Sequence, residues 1–165
     1  MTISRALSAL KQVFKSSRSQ TIKVDLGVRG EQLAVAYLDQ LGFQIVATNF
    51  MVPVGRNRNN AIVNAEIDVV AFEGSVLCFV EVKTRTSDWF APPTANVDLR
   101  KQRQITRAAH AYRRMFELTE APYRFDVVSI VMPPAGEASM EIELLRGFWT
   151  NSKFQKSRRL FNHWD

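Results

Sequence analysis

The sequence predicts a single α/β domain in which helices flank a mixed β-sheet. Three observations carry that expectation. Apolar segments of strand length at 43–47, 62–72, 76–84 and 125–132 are interleaved with two stretches of helical periodicity, 27–41 and 97–117, giving the order α-β-β-β-α-β. A chain of 18.8 kDa, 46% apolar and 23% charged, has the size and composition of one ordinary globular domain. The apolar run Val76 to Val80 ends at Glu81, and no run approaches the roughly 20 residues that span a bilayer. Neither a membrane span nor an internal repeat is expected.

Residues 1–24 read as a basic extension. Ile3, Leu7, Leu10 and Phe14 recur at helical spacing among Arg5, Lys11 and Lys15, with no acid in the first twenty residues. The segment lacks the long apolar core of a secretory signal and only faintly resembles an organelle transit peptide, so a helical extension packing on the domain is expected. From Gly27 to Leu41 the side chains of Leu33, Ala34, Tyr37, Leu38 and Leu41 form one stripe, and Gly42 follows where a helix end favours positive φ. Phe43–Ala47 reads as a strand. Pro53, Gly55 and the run Arg56-Asn57-Arg58-Asn59-Asn60 then break the periodicity, which predicts a loop over 51–61.

Ile62–Phe72 and Val76–Thr84 read as a hairpin turning at Glu73-Gly74. The second of these strands is apolar on both faces until Glu81, which predicts a central place in the sheet. In 97–117, Ile105, Ala108, Ala109, Tyr112 and Phe116 form the expected buried stripe of a basic helix. Phe125–Met132 is the next strand and Met140–Leu145 an optional last one, with Pro133-Pro134 and Gly136 turning between them. The domain is thus expected over 25–150, followed by a basic, aromatic tail over 151–165.

Charge is unevenly placed. Six basic residues face one acid in 1–30, six face two in 97–118 and five face one in 146–165, leaving the remaining positions net acidic. Three basic segments around an acidic centre suit a polyanionic partner, although solvated helix faces and tails would look the same one by one. Cys78, the single cysteine, lies inside the apolar run and cannot form an internal disulfide, which favours the reducing cytoplasm. His110 and His163 are too far apart in sequence to suggest zinc, and no glycine-rich phosphate loop is present.

The chemistry is expected where charge enters the apolar sheet. Glu81 and Lys83 lie two apart on one strand and project from one face. Asp68 joins that face if paired positions of the hairpin sum to an odd number, diagonal to Glu81 with a two-residue loop at Glu73-Gly74 and directly opposite with a four-residue loop. Two carboxylates so close repel, and a divalent cation resolves the repulsion. Carboxylate oxygens favour hard ions, Mg²⁺ or Mn²⁺, and a nearby lysine can position an attacking water or neutralise charge on a phosphorane-like transition state. These parts suit phosphodiester hydrolysis. A partly buried ion pair of Lys83 with Glu81 or Asp68 is the plainer alternative.

Asp68, then Glu81-Val82-Lys83 thirteen residues on, resembles the bipartite signature of the PD-(D/E)XK nuclease superfamily. More specific is the path through Gly30-Glu31, Ala34, Tyr37-Leu38, Gly42-Phe43, Asn49-Phe50, Glu66-Ile67-Asp68 and Phe79-Val80-Glu81-Val82-Lys83-Thr84-Arg85, with Lys101 and Arg124-Phe125-Asp126-Val127 beyond. Over about residues 27–131 this resembles the YraN-like (UPF0102) family of small bacterial proteins, themselves similar to archaeal Holliday-junction resolvases. The resemblance implies a restriction-endonuclease-like fold, with Asp68, Glu81 and Glu31 as metal ligands and Lys83 as the catalytic lysine. It also implies that Thr84, Arg85 and Lys101 sit near the scissile phosphate, while Glu66, sharing a face with Asp68, is expected to support it. Ala65, Ala91 and the longer loop after Phe50 depart from the family pattern without removing a ligand.

The sequence is therefore expected to encode an Mg²⁺- or Mn²⁺-dependent endonuclease acting on DNA, branched DNA included, with a homodimer allowed. Arg100 and Arg103 of the basic helix and Arg56 and Arg58 of the loop are the expected backbone contacts. A non-catalytic nucleic-acid-binding module on the same fold, or a protein docking acidic partners through its basic segments, would share the charge pattern. Neither would account for Glu31, Asp68, Glu81 and Lys83 together.

Overall fold

The computed structural model describes residues 26–86, 97–133 and 139–151 of the chain. The basic extension, the segment holding Phe90 and Ala91, Pro134 with Gly136, and all but the first residue of the tail lie outside the described residues. The elements in chain order are helix α1 (Leu26–Gln40), strands β1 (Gln44–Arg56), β2 (Ile62–Glu73) and β3 (Val76–Arg85), helix α2 (Leu99–Met115), and strands β4 (Tyr123–Val131) and β5 (Glu141–Trp149). They build one five-stranded sheet in the order β1-β2-β3-β4-β5. All neighbours are antiparallel except β3 and β4, which run parallel, with α2 in the connection between them. The expected order holds, and the optional last strand forms. This is a mixed α/β architecture consistent with a restriction-endonuclease-like fold. Among the described residues no helix is long and apolar enough to cross a membrane.

β3 is central, as its continuous apolar run implies, and alternate residues feed two cores. Leu77 and Phe79 pack with Ile105, Ala108, Ala109 and Tyr112 of α2. Cys78 and Val80 pack with Leu33, Ala34 and Leu38 of α1. The helices therefore cover opposite faces of the sheet, and the lone cysteine is a buried, free thiol. Gly42 takes φ 87° just after α1, where a side chain would be strained.

Three expectations need correction. Residues 51–56 do not form a loop but continue β1, so only the turn around 57–61 remains irregular. Phe50, Val52 and Val54 recur at period two and face the α2 core. Pro53 is tolerated because β1 is an edge strand and its register slips between Pro53 and Gly55. The turn closes on Asn57, whose Oδ1 accepts from the backbone N–H groups of Asn59 and Ala61. Secondly, the β2–β3 turn is Gly74-Ser75, since Glu73 pairs with Val76; Gly74, at φ 59°, supplies the left-handed residue. Thirdly, Phe116 and Leu41, 48% and 42% exposed, lie just past the ends of α2 and α1 and not in their buried stripes.

Candidate active site

The β2–β3 ladder runs from Glu73–Val76 to Val69–Val80 and stops there. Beyond it β2 continues in pairing with β1 and β3 in pairing with β4, so the two central strands part company. Asp68 and Glu81 are the first residues past the last rung. The register sums to an odd number, as the chemistry required, and it sets them opposite each other, which the sequence left open. The backbone N–H of Val82, freed from the ladder, donates to Asp68 Oδ2 at 2.8 Å.

Both acids face α2 from within the sheet, with Glu81 1% and Asp68 9% exposed. Lys83 Nζ lies 2.7 Å from Glu81 Oε1. From the first turn of α2, Lys101 Nζ reaches to 3.2 Å from Glu81 Oε2 and 4.0 Å from Asp68 Oδ1. The ion pair with Lys101 is not a well-directed hydrogen bond, so Glu81 Oε2 is buried without one. Burial, and next the charge of Glu81, push the Asp68 carboxyl up from 3.8 to about 7, against the opposing pull of the Val82 N–H and Lys101. Burial works against the Lys101 ammonium, but Glu81, Asp68 and Glu66 together hold it above the ordinary lysine range.

Glu31 approaches from the other side. It stands near the start of α1, where Gly30 passes so close to β3 that a Cβ would meet Thr84 Oγ1 at 1.7 Å. Asn49 Nδ2 donates to Glu31 Oε2 at 2.8 Å and to Glu66 Oε1 at 3.3 Å. The structure thus gathers Asp68, Glu81, Lys83 and Lys101 into one cluster and places Glu31 and Glu66 on an adjoining amide bridge. Among the described residues no three His, Cys, Asp or Glu side chains group so as to hold a metal by themselves. Two facing carboxylates, one carrying a buried oxygen without a directed hydrogen bond, nevertheless fit a hard divalent ion that completes its shell with water and phosphate oxygens.

The remaining candidates are spread outward. Thr84 is half-buried against Gly30, and Arg85 reaches Ser129 Oγ on β4 at 3.5 Å. Arg100 and Arg103 are exposed on α2. Arg56 and Arg58 lie at the exposed tip of the β1–β2 hairpin, with Arg56 Nη1 donating to Asn60 O at 2.7 Å. Asn49 had no chemical role assigned from the sequence. Its one signal was its place in the Asn49-Phe50 pair of the family resemblance, and its contacts are with residues 17 and 18 positions away.

Fold and site together define a mixed α/β protein with a buried acid–lysine cluster at the parting of its two central strands. A model of the uncharacterised protein family UPF0102 matches residues 30–130, and the chain belongs to that family. A UPF0102 protein of Chlorobium chlorochromatii is 42% identical over 129 residues, covering 76% of this chain and 92% of the relative. One from Solibacter usitatus is 40% identical over 118 residues, covering 72% and 80%. Another from Caldicellulosiruptor saccharolyticus is 35% identical over 124 residues, covering 75% and 96%.

Proposed function

We propose that the protein is a divalent-metal-dependent endonuclease that hydrolyses phosphodiester bonds in DNA, branched DNA included. The observation that carries this reading is the pair of buried, facing carboxylates Asp68 and Glu81, set where the β2–β3 ladder ends and flanked by two lysines. Such a pair raises the free energy of the fold unless something positive lies between or beside it. Mg²⁺ or Mn²⁺ bound there would supply Lewis acidity toward a phosphoryl oxygen. Asp68 and Glu81 would hold it. Lys83, half-buried with its ammonium on Glu81, is placed to orient an attacking water or neutralise charge developing on the phosphoryl group. Lys101 balances the acids and leaves α2 beside the substrate path. The spacing from Asp68 to Glu81-Val82-Lys83 supports placing the chain in the PD-(D/E)XK superfamily.

The lysines also balance the carboxylates without any metal, which favours a second reading, a non-catalytic nucleic-acid-binding module. One experiment separates the two. Linear, nicked, flap and four-way DNA are incubated with Mg²⁺, Mn²⁺ or chelator, and Mn²⁺ binding is followed by calorimetry. Cleavage that chelator, Asp68→Ala and Glu81→Ala each abolish, with Mn²⁺ binding strongly weakened in both variants, supports the nuclease. Retention of DNA without cleavage, and Mn²⁺ binding unchanged by either substitution, overturns it in favour of the binding module.

A further inference from the structure

Asn49 sits in β1 between Thr48, paired with Val69, and Phe50, paired with Ile67, so the register sets it across from Asp68. Its backbone is left-handed, φ 51°, in the middle of a strand. Asparagine visits that region more readily than other residues with a Cβ, but a continuous strand has no need of it. Such departures persist where the surroundings hold them in place. Here the holding contacts are visible: the amide that the turned backbone presents donates to Glu31 on α1 and Glu66 on β2. Two carboxylates drawn to one neutral donor would otherwise repel. Glu66 lies two residues before Asp68 on β2, and the registers that set Asn49 across from Asp68 and Asp68 across from Glu81 place the bridge beside that pair.

We propose that Asn49 is a positioning residue that fixes Glu31 at the edge of the Asp68–Glu81 centre, acting through Glu31 and not on the substrate itself. The inference rests on the hydrolytic reading above. It goes beyond it by assigning a residue, and a backbone conformation, whose purpose is to place a third carboxylate. A tie that merely braced α1 against the sheet would use the same bonds, so the test must separate the two.

Asn49→Gly keeps the left-handed backbone without steric cost and removes the amide. With DNA, kcat should fall at least tenfold while KM and melting temperature stay at the parent values. Without DNA, Mn²⁺ affinity by calorimetry should fall at least threefold, to the level of Glu31→Gln. Because the effect passes through Glu31, the double variant Asn49→Gly with Glu31→Gln should be no slower than Glu31→Gln alone. Should the glycine variant not fold, Asn49→Asp retains the tolerance for positive φ and replaces the donor with a third negative charge, and the same losses are expected. Unchanged kcat and Mn²⁺ affinity, additive losses in the double variant, or a lowered melting temperature with full activity would each overturn the assignment while leaving the nuclease reading intact. Absence of cleavage by the parent protein would remove both.

Discussion

The charges at the centre of the sheet divide into those tied wholly within the fold and those that also border the candidate site. Asp126 is fully buried, yet Arg124 donates to both its oxygens at 2.9 Å and the Gly147 N–H donates at 2.8 Å, so β4 and β5 are pinned together. Glu73 joins this group through Arg124 and Arg146, whose hydrogen bonds hold its carboxyl down at about 2. Every partner there is accounted for. Lys83 differs: its ammonium meets Glu81 at the edge of the site, and its side chain stays 32% exposed. Under the nuclease reading, Lys83→Ala should lower kcat by about 10²-fold or more with Mn²⁺ and DNA affinity retained, since its contact with the substrate is made in the transition state. Normal cleavage by this variant, measured in single turnovers, would return Lys83 to a purely structural ion pair. Lys101 was legible as a basic helical residue near the substrate, but its reach to Glu81 was not. That contact depends on how α2 lies across the sheet, and no spacing within 97–117 encodes it.

The two helices owe opposite features to the site. α1 begins with a close approach: Gly30 has no room for a Cβ against Thr84. Gly30→Ala should destabilise the protein by about 1–3 kcal/mol through overpacking, with Thr84→Gly restoring part of the loss in a denaturant titration of the double variant. No restoration would mean that the crowding lies elsewhere. α2 carries no acid between Leu99 and Met115, and its first turn bears Arg100 and Lys101, against the preference of a helix N-terminus for negative charge. Asp98 caps the helix by accepting from the Lys101 N–H at 2.7 Å, which offsets part of that cost. Arg100, Arg103, Arg107 and Arg114 recur on one exposed face over about 21 Å at 1.5 Å per residue. Like charges in that array weaken the helix. If the face follows a DNA backbone, log affinity should fall linearly with log salt. Each arginine changed to alanine should then reduce the slope by about 0.9 on duplex DNA. Salt-independent binding would point to a protein partner.

Across the whole molecule, two groups titrate in opposite senses. Asp68 is raised in the fold from 3.8 to about 7, so between those values the native state keeps a proton that the unfolded chain has lost, and stability falls as pH rises. Glu73 is lowered from 4.5 to about 2, so its contribution is present above 4.5 and is lost as pH falls through 2. The combined contribution of these two groups to the stability of the metal-free protein is greatest near pH 4–5. Thermal melting in chelator should decline from there towards pH 7, and Asp68→Asn should flatten the decline. Mn²⁺ should do the same if Asp68 holds it. A melting temperature independent of pH between 4 and 7 would contradict a carboxyl at Asp68 raised by burial and by Glu81.

What the sequence determined by itself were quantities read along the chain. Periodicity named every element, the unbroken run Val76–Val80 named the central strand, and the two-residue spacing of Glu81 and Lys83 put them on one face. It lost β1 beyond Ala47, because Pro53 and Gly55 signal a break that only an edge position forgives. It left Asp68 diagonal or opposite to Glu81, because one residue in a turn slides the whole register. The tertiary structure alone decided the parting of β2 from β3, the reach of Lys101 and the bridge from Asn49 to Glu31 and Glu66. Each depends on contacts between segments distant in sequence, whose geometry comes from how sheet and helices pack and not from any local preference.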